Sequence, residues 1–323
     1  MADFRLAIVG VTGEVGRALL SRLDESGLEF AEVHALASSR SEEETVMFRH
    51  RPLIVEVAEA FDFSRADVVV LATPLAVSEL LADRALAAGC RVIDHSTAFA
   101  GQRDVPLAGT VESESAEMVI VPSAEVSLLA PLLSAAIGTF PLRAVHVSLV
   151  LPVSSSGHAG VRELAGQTGE LLNARGIEPV VFPVQIAFNC LPLVGSSREE
   201  IVIEGLQQLL GEHVPLVLSA IVAPVFYGVT AQITLETEVP MMAEEFADRL
   251  SRLGGVEVRN SSEDQQVATP VTDAAGQVGV YVSGIRPLSP PLQGVTMVAV
   301  ADNVHQGAAR HTVDLLEKWI KRL

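Results

Sequence analysis

The residues best suited to chemistry come first in the chain. Gly10-Val11-Thr12-Gly13-Glu14-Val15-Gly16 sits between an apolar run, Leu6–Val9, and a stretch with Val15, Leu19, Leu20 and Leu23 at helical spacing. A GxxGxxG turn between a strand and a helix lets the backbone approach a pyrophosphate, whose charge the helix N-terminus favours. Gly10, Thr12, Gly13, Glu14 and Val15 are therefore expected to hold a dinucleotide, although a glycine-rich turn can also be a plain connection. At the end of the next apolar run, where an acidic residue would take a ribose 2′-hydroxyl, the chain reads Ser38-Ser39-Arg40-Ser41. Hydroxyls and a guanidinium suit a 2′-phosphate, which favours NADP. Glu42, Glu43 and Glu44 follow at once and oppose it.

The remaining reactive side chains are expected to be ordinary. Cys90 and Cys190 lie a hundred residues apart without metal-ligand spacing, so neither a zinc site nor a disulfide framework is expected. Cys90 reads as a structural turn thiol and Cys190 as a small buried one. Ser123 reads as a helix cap and has no base beside it. His158, His305 and His311 read as surface or hydrogen-bonded histidines; Glu263-Asp264 and Glu42–Glu44 read as solvated loops. No metal site is expected.

These groups need a scaffold, and the pattern supplies an α/β one. Short apolar runs at Leu6–Val9, Val33–Ala37, Asp67–Ala72, Arg91–Asp94 and Met118–Val121 alternate with helical stretches at Glu14–Leu23 and Val77–Ala88. Uninterrupted apolar runs separated by helices imply a parallel Rossmann-like sheet covered on both faces. Beyond Pro122 the runs are longer and alternate: Ala144–Leu151, Gln185–Asn189, Thr230–Glu238, Val278–Ile285 and Val295–Ala301. Helices are expected near Gly160–Leu172, Glu199–Leu210 and Met242–Leu253. This predicts an α+β domain with a mostly antiparallel sheet. Gly254–Gly276, with Asn260-Ser261-Ser262, reads as an exposed loop. The last helix, His311–Leu323, is expected to pack on the first domain. The expected division is 1–124 with 304–323 for the dinucleotide, and 125–303 for dimerisation or substrate.

Composition excludes other classes. A formal charge of -18 in 323 residues offers nothing that would release counterions from nucleic acid or bind an anionic membrane surface. The apolar segment Val214–Ala231 contains Pro215 and Pro224 and is rich in β-branched residues, so it reads as two strands rather than a membrane span. The opening residues run directly into a strand with no secretory pattern, and a cytoplasmic, reduced protein is expected.

With those features in order, the chain resembles the aspartate-β-semialdehyde dehydrogenase family nearly end to end. The resemblance rests on Gly10–Gly13, Ala37–Ser41, Ile93-Asp94-His95-Ser96-Thr97-Ala98-Phe99, Ser154-Ser155-Ser156-Gly157, Gln185–Asn189, Pro224–Gly228, and Asp302-Asn303 with Gly307-Ala308-Ala309. It implies the family's two-domain fold, an NADP site to which Ser96, Ser154, Gly157 and Asn303 contribute, and a homodimer or a pair of dimers. The family's reaction, as the resemblance implies it, needs a cysteine thiolate that attacks the aldehyde, with hydride passing to NADP and phosphate releasing the acyl group. The position matching that cysteine is Ala124, and the position matching the acid/base histidine is Val229. Leu151, Ala100, Val202 and His305 stand where the family has a glutamine, an arginine, a lysine and an arginine. No catalytic residue is expected, and the second domain should be more apolar than an active enzyme's. Two alternatives stay open: an active oxidoreductase with relocated groups, and a structural partner of an active paralogous dehydrogenase.

Overall fold

A computed structural model describes residues 4–100, 102, 104–211, 213–259 and 267–321. The chain divides into two compact units, Met1–Ser123 with Gly307–Leu323, and Ala124–Gln306.

The first unit opens with β1 (Arg5–Val9), α1 (Glu14–Ser26), β2 (Glu32–Ala37), β3 (Thr45–Phe48), β4 (Arg51–Val57), β5 (Val68–Leu71), α2 (Leu75–Ala87), β6 (Arg91–Asp94) and β7 (Met118–Ile120). Its sheet has the order β3-β4-β2-β1-β5-β6-β7. All neighbours run parallel except the β3–β4 hairpin. Every residue of β5 is buried, as a strand covered on both faces requires. The hairpin was not expected, because Arg51, Pro52 and Glu56 interrupt the apolar pattern of β4, the strand between edge strand β3 and β2.

The second unit contains α3 (Ala124–Ile137), β8 (Leu142–Leu151), α4 (Gly157–Leu172), β9 (Leu191–Pro192), α5 (Ser197–Leu210), β10 (Leu216–Val222), β11 (Val229–Thr237), α6 (Ala243–Ser251), β12 (Val256–Arg259), β13 (Val280–Pro287) and β14 (Gly294–Ala301). The sheet order is β12-β13-β14-β11-β8-β10-β9. The sheet is mixed: β8 pairs with β10 and β12 with β13 in parallel, and the other pairs are antiparallel. The alternation in β8 and β11 sends Val145, Val147, Leu149, Ile233 and Leu235 into a core shared with α3, α5 and α6. On the opposite face His146, Ser148, Val217, Ser219 and Gln232 are exposed.

The final helix, α7 (Arg310–Ile320), belongs to the first unit. Val313, Leu316 and Trp319 join the core that contains Leu6, Ile8 and Leu19, and the Trp319 indole donates to Ser113 O at 3.1 Å. Among the described residues no helix is long and apolar enough to cross a membrane. The segment Val214–Ala231 forms β10 and the start of β11 instead.

Three expectations need correction. Gln185–Asn189 is not a strand: Gln167 of α4 accepts the Ile186 and Ala187 amides at 2.9 and 3.1 Å, and Phe188 is left-handed (φ 60°). A side chain thus takes the place of a neighbouring strand, a substitution that residue alternation cannot reveal. Cys190, in the same turn, is exposed rather than buried. The expected loop Gly254–Gly276 holds β12 and a helical turn at Pro270–Ala274, in which Asp273 and Ala274 are buried and Asp273 pairs with Arg259. Residues 260–266, including Asn260, Ser261, Ser262, Glu263 and Asp264, lie outside the described residues.

Candidate functional site

In the first unit the glycine turn is closed by backbone contacts. The Gly10 and Val11 amides both donate to Leu36 O, at 2.8 and 3.1 Å, tying the turn to the end of β2. Gly10 is left-handed (φ 85°), and a Cβ there would lie 2.2 Å from Ala72 O. A Cβ on Gly16 would lie 2.3 Å from Gly10 O, so α1 starts directly against the turn. Gly13 is the N-cap of α1, with no side-chain cap, and the first helical amides have no intrahelical acceptor. Glu14 and Val15 open the helix. This geometry suits an anion at the N-terminus.

The second loop stands beside this turn. The Thr12 hydroxyl lies 3.4 Å from the Ser41 hydroxyl. Ser39–Ser41 form a single 3-10 turn, closed by the Ser41 amide on Ser38 O at 2.9 Å. Arg40 is exposed and has no ion-pair partner among the described residues; Glu42, Glu43 and Glu44 are also exposed. No carboxylate occupies the end of β2, so these residues fit a 2′-phosphate better than a bare ribose.

Past β6, Ser96 is committed to the protein. Its hydroxyl donates to the Asp94 carboxylate, with its two oxygens at 2.8 and 3.0 Å, and accepts from the Ala98 amide. Burial pushes the Asp94 carboxyl up, against the Ser96 bonds that hold it down. Thr97, β-branched, is held left-handed (φ 64°), a strained conformation seen at few ordinary positions. His95 Nε2 lies 2.7 Å from Thr312 Oγ1; burial, with the nearby His311, pushes its pKa down to about 3, so the ring is neutral. Ala100, in the turn after Phe99, is half-buried. Cys90 is buried, its thiol facing Phe63 O and Ala66 O at 3.1 Å.

In the second unit Ser154 and Asn303 come together: Asn303 Oδ1 accepts from Ser154 Oγ at 3.2 Å and from the Gly228 amide at 3.1 Å. Gly157 (φ 69°) opens α4. Asp302 accepts the Val304 and His305 amides at 2.7 Å, the Gly276 amide at 2.8 Å, and faces His305 Nδ1 at 3.1 Å. Burial raises its carboxyl, but these hydrogen bonds outweigh burial and hold it below the ordinary range. His305 is thereby oriented by Asp302, and His158 is exposed.

Of the positions expected from the resemblance to be degenerate, four are apolar side chains of the second unit, and His305 is the oriented imidazole just described. Leu151, Val202 and Val229 are each 1% exposed, in one core, and Ala124 packs against it. A charged pair lies next to Ala124 in the chain. Glu125, the residue after Ala124, is 1% exposed, and Arg198 of α5 places Nε and Nη2 on its Oε1 at 3.1 and 2.6 Å. Arg198 Nη1 also reaches Ser155 O at 3.0 Å. The sequence carried the signal for this pair, because Glu125 is the lone charge in an otherwise apolar or small helix; its partner, 73 residues on, did not stand out. An open groove of about 480 Å³ runs between α4 and the following loop, lined by Arg162, Glu163, Glu170 and Glu178 among others, and none of the apolar positions lines it. Among the described residues no cluster of three or more His, Cys, Asp or Glu could hold a metal ion.

A strand-turn-helix dinucleotide unit followed by a mixed-sheet unit defines a two-domain dehydrogenase architecture. Residues 5–117 match the family described as semialdehyde dehydrogenase, NAD binding domain, and residues 129–306 match semialdehyde dehydrogenase, dimerisation domain. The chain belongs to the semialdehyde dehydrogenase family, and its first unit is that family's dinucleotide-binding domain. It is 36% identical to the USG-1 protein homolog of Pseudomonas aeruginosa, over 98% of this chain and 97% of that one. It is 32% identical to the aspartate-semialdehyde dehydrogenase of Legionella pneumophila, over 97% of this chain and 94% of that one. The crystal structure of aspartate semialdehyde dehydrogenase II complexed with ASA from Vibrio cholerae superposes with a TM-score of 0.92 at 30% identity, covering 99% of both chains.

Proposed function

We propose that this chain is a catalytically silent semialdehyde dehydrogenase relative that keeps an NADP site in residues 1–124 with 304–323 and a self-pairing surface in 125–303. One observation carries the silence: Leu151, Val202 and Val229 are buried in one apolar core, with Ala124 against it. A methyl group cannot attack a carbonyl, and a valine cannot move a proton. Loss of the nucleophile from such a unit costs on the order of 10⁶ in turnover, and further losses add little.

NADP is supported by the uncapped N-terminus of α1, by Thr12 with Ser41, and by unpaired Arg40 in place of an acidic residue. Bound there, it would supply a hydride acceptor; what this chain's own residues do is hold its phosphates. Self-pairing is supported by the match to a dimerisation domain and by the uncovered sheet face of His146, Ser148, Val217, Ser219 and Gln232. Two unbridged thiols support a reducing, cytoplasmic setting.

The test combines calorimetric titration with NADP and an assay of NADPH formation from aspartate semialdehyde and phosphate at high protein concentration. Saturable NADP binding without turnover is the expected result. Turnover abolished by Cys190→Ser overturns the silent reading in favour of relocated chemistry, the exposure of Cys190 being the observation on that side. Light scattering tests the pairing: a monomer overturns it, and co-purification with an active dehydrogenase favours a mixed assembly.

A further inference from the structure

We propose that Arg17 is a second guanidinium for the 2′-phosphate of the dinucleotide, acting with Arg40 across the Thr12–Ser41 contact. The inference rests on the NADP reading of the first unit and assigns the discrimination between NADP and NAD to a pair of residues.

Arg17 is the fourth residue of α1, and its side chain turns back toward the helix start: Nε donates to Thr12 O at 2.9 Å. Thr12 in turn faces Ser41, the neighbour of Arg40, at 3.4 Å. One residue, Thr12, therefore links the two arginines, with its carbonyl holding Arg17 and its hydroxyl meeting the loop of Arg40. Both guanidiniums are exposed, and neither has an ion-pair partner among the described residues. With Nε anchored, the Nη1/Nη2 edge of Arg17 is presented as a fork, the geometry that takes two phosphate oxygens at once.

The placement of Arg17 runs against its local field. A cation in the first turns of a helix opposes the macrodipole, which favours anions there. In a chain of net charge -18, a cation so placed could easily have found a carboxylate, as Arg22 does with Glu25 one turn further along α1. An anionic ligand at the turn removes the mismatch. It also answers the difficulty posed by Glu42, Glu43 and Glu44: a phosphate near dianionic charge set beside three carboxylates needs more than one guanidinium.

The test uses calorimetric titration of the full chain with NADP, NAD and 2′,5′-ADP, comparing wild type with Arg17→Ala, Arg17→Gln and Arg40→Ala. Loss of either guanidinium is expected to weaken NADP and 2′,5′-ADP by about tenfold or more and to change NAD by less than about twofold. Arg17→Gln keeps a donor for Thr12 O without the charge, so it should lose the same selectivity while its unfolding midpoint stays at the wild-type value. An equal loss for NADP and NAD overturns the proposal by moving Arg17 to the pyrophosphate or to the fold, and unchanged NADP affinity overturns it outright. If wild type binds neither dinucleotide, the NADP reading and this one fall together; if it binds NADP and the Arg17 variants match it, this one falls alone.

Discussion

Arg198 and Glu125 form a partly buried ion pair beside position 124, with two guanidinium nitrogens on one carboxylate oxygen at 2.6 and 3.1 Å and the third on Ser155 O at 3.0 Å. The pair joins the first turn of α3, the serine loop before α4 and the first turn of α5. A carboxylate at an N-terminal turn is favoured by the helix field, and a guanidinium fork fixes its orientation.

Arg198→Met should therefore destabilise the second unit. Removing one partner of a buried pair costs about 3–5 kcal/mol, and because Arg198 keeps roughly a third of its surface in water, about 2–3 kcal/mol is expected. Adding Glu125→Gln should recover at least half. Urea unfolding measures both; a single variant within about 0.5 kcal/mol of wild type would remove the pair's structural role.

On the silent reading proposed above, placing a thiol at position 124 and an imidazole at 229 should not produce turnover. In Ala124→Cys with Val229→His, the new thiolate would sit next to buried Glu125, which disfavours its charge, and the new imidazole would enter a core position 1% exposed. NADPH formation is expected to stay at background. Turnover from these two changes alone would show that the rest of the site had survived.

Gly16→Ala should be far more damaging than Gly27→Ala. The first puts a methyl 2.3 Å from Gly10 O and 2.6 Å from Val11 Cα, both backbone; the second meets nothing within 4 Å and strains only a left-handed C-cap (φ 70°). About 3 kcal/mol or more is expected for Gly16→Ala, with loss of dinucleotide binding, against about 1 kcal/mol for Gly27→Ala. Equal unfolding midpoints for the two variants would refute the packing argument.

Acid should weaken the first unit through His95. Its pKa falls from the ordinary 6.5 to about 3 in the fold, so the unfolded chain binds the extra proton first as pH drops. The stability from a neutral His95 is complete above pH 6.5 and is lost as pH falls toward 3, at up to about 1.4 kcal/mol per pH unit. Asp94, raised by burial, acts with the opposite sign, so the difference between wild type and His95→Gln isolates the histidine. The variant's unfolding free energy should vary less steeply between pH 4 and 6; parallel curves would contradict the assignment.

Strongly periodic elements could be read from the chain alone. The strand Arg91–Asp94 and helices α1, α4 and α5 lie within a few residues of where their patterns put them. Local alternation could not reveal segments satisfied by distant side chains. Gln185–Asn189 looked like a strand because Ile186 and Phe188 flank Ala187, yet its amides belong to Gln167. The glycine turn was legible because its spacing is local, and the serine loop because it ends a strand. Arg17 and Arg198 were not, since each acts through a side chain folded onto a backbone carbonyl that no spacing rule marks.

The return of α7 to the first unit has a consequence for biosynthesis. Trp319 and Leu316 complete a core begun by Leu6 and Ile8, whereas the second unit is one uninterrupted stretch. On the ribosome, the strands around Leu6 and Ile8 must wait for α7, which is made after the whole second unit, and that intervening unit can fold while the first stays open. A pause or a frameshift late in translation would then leave a finished dimerisation half attached to an unfinished nucleotide half, the form most exposed to proteases and chaperones.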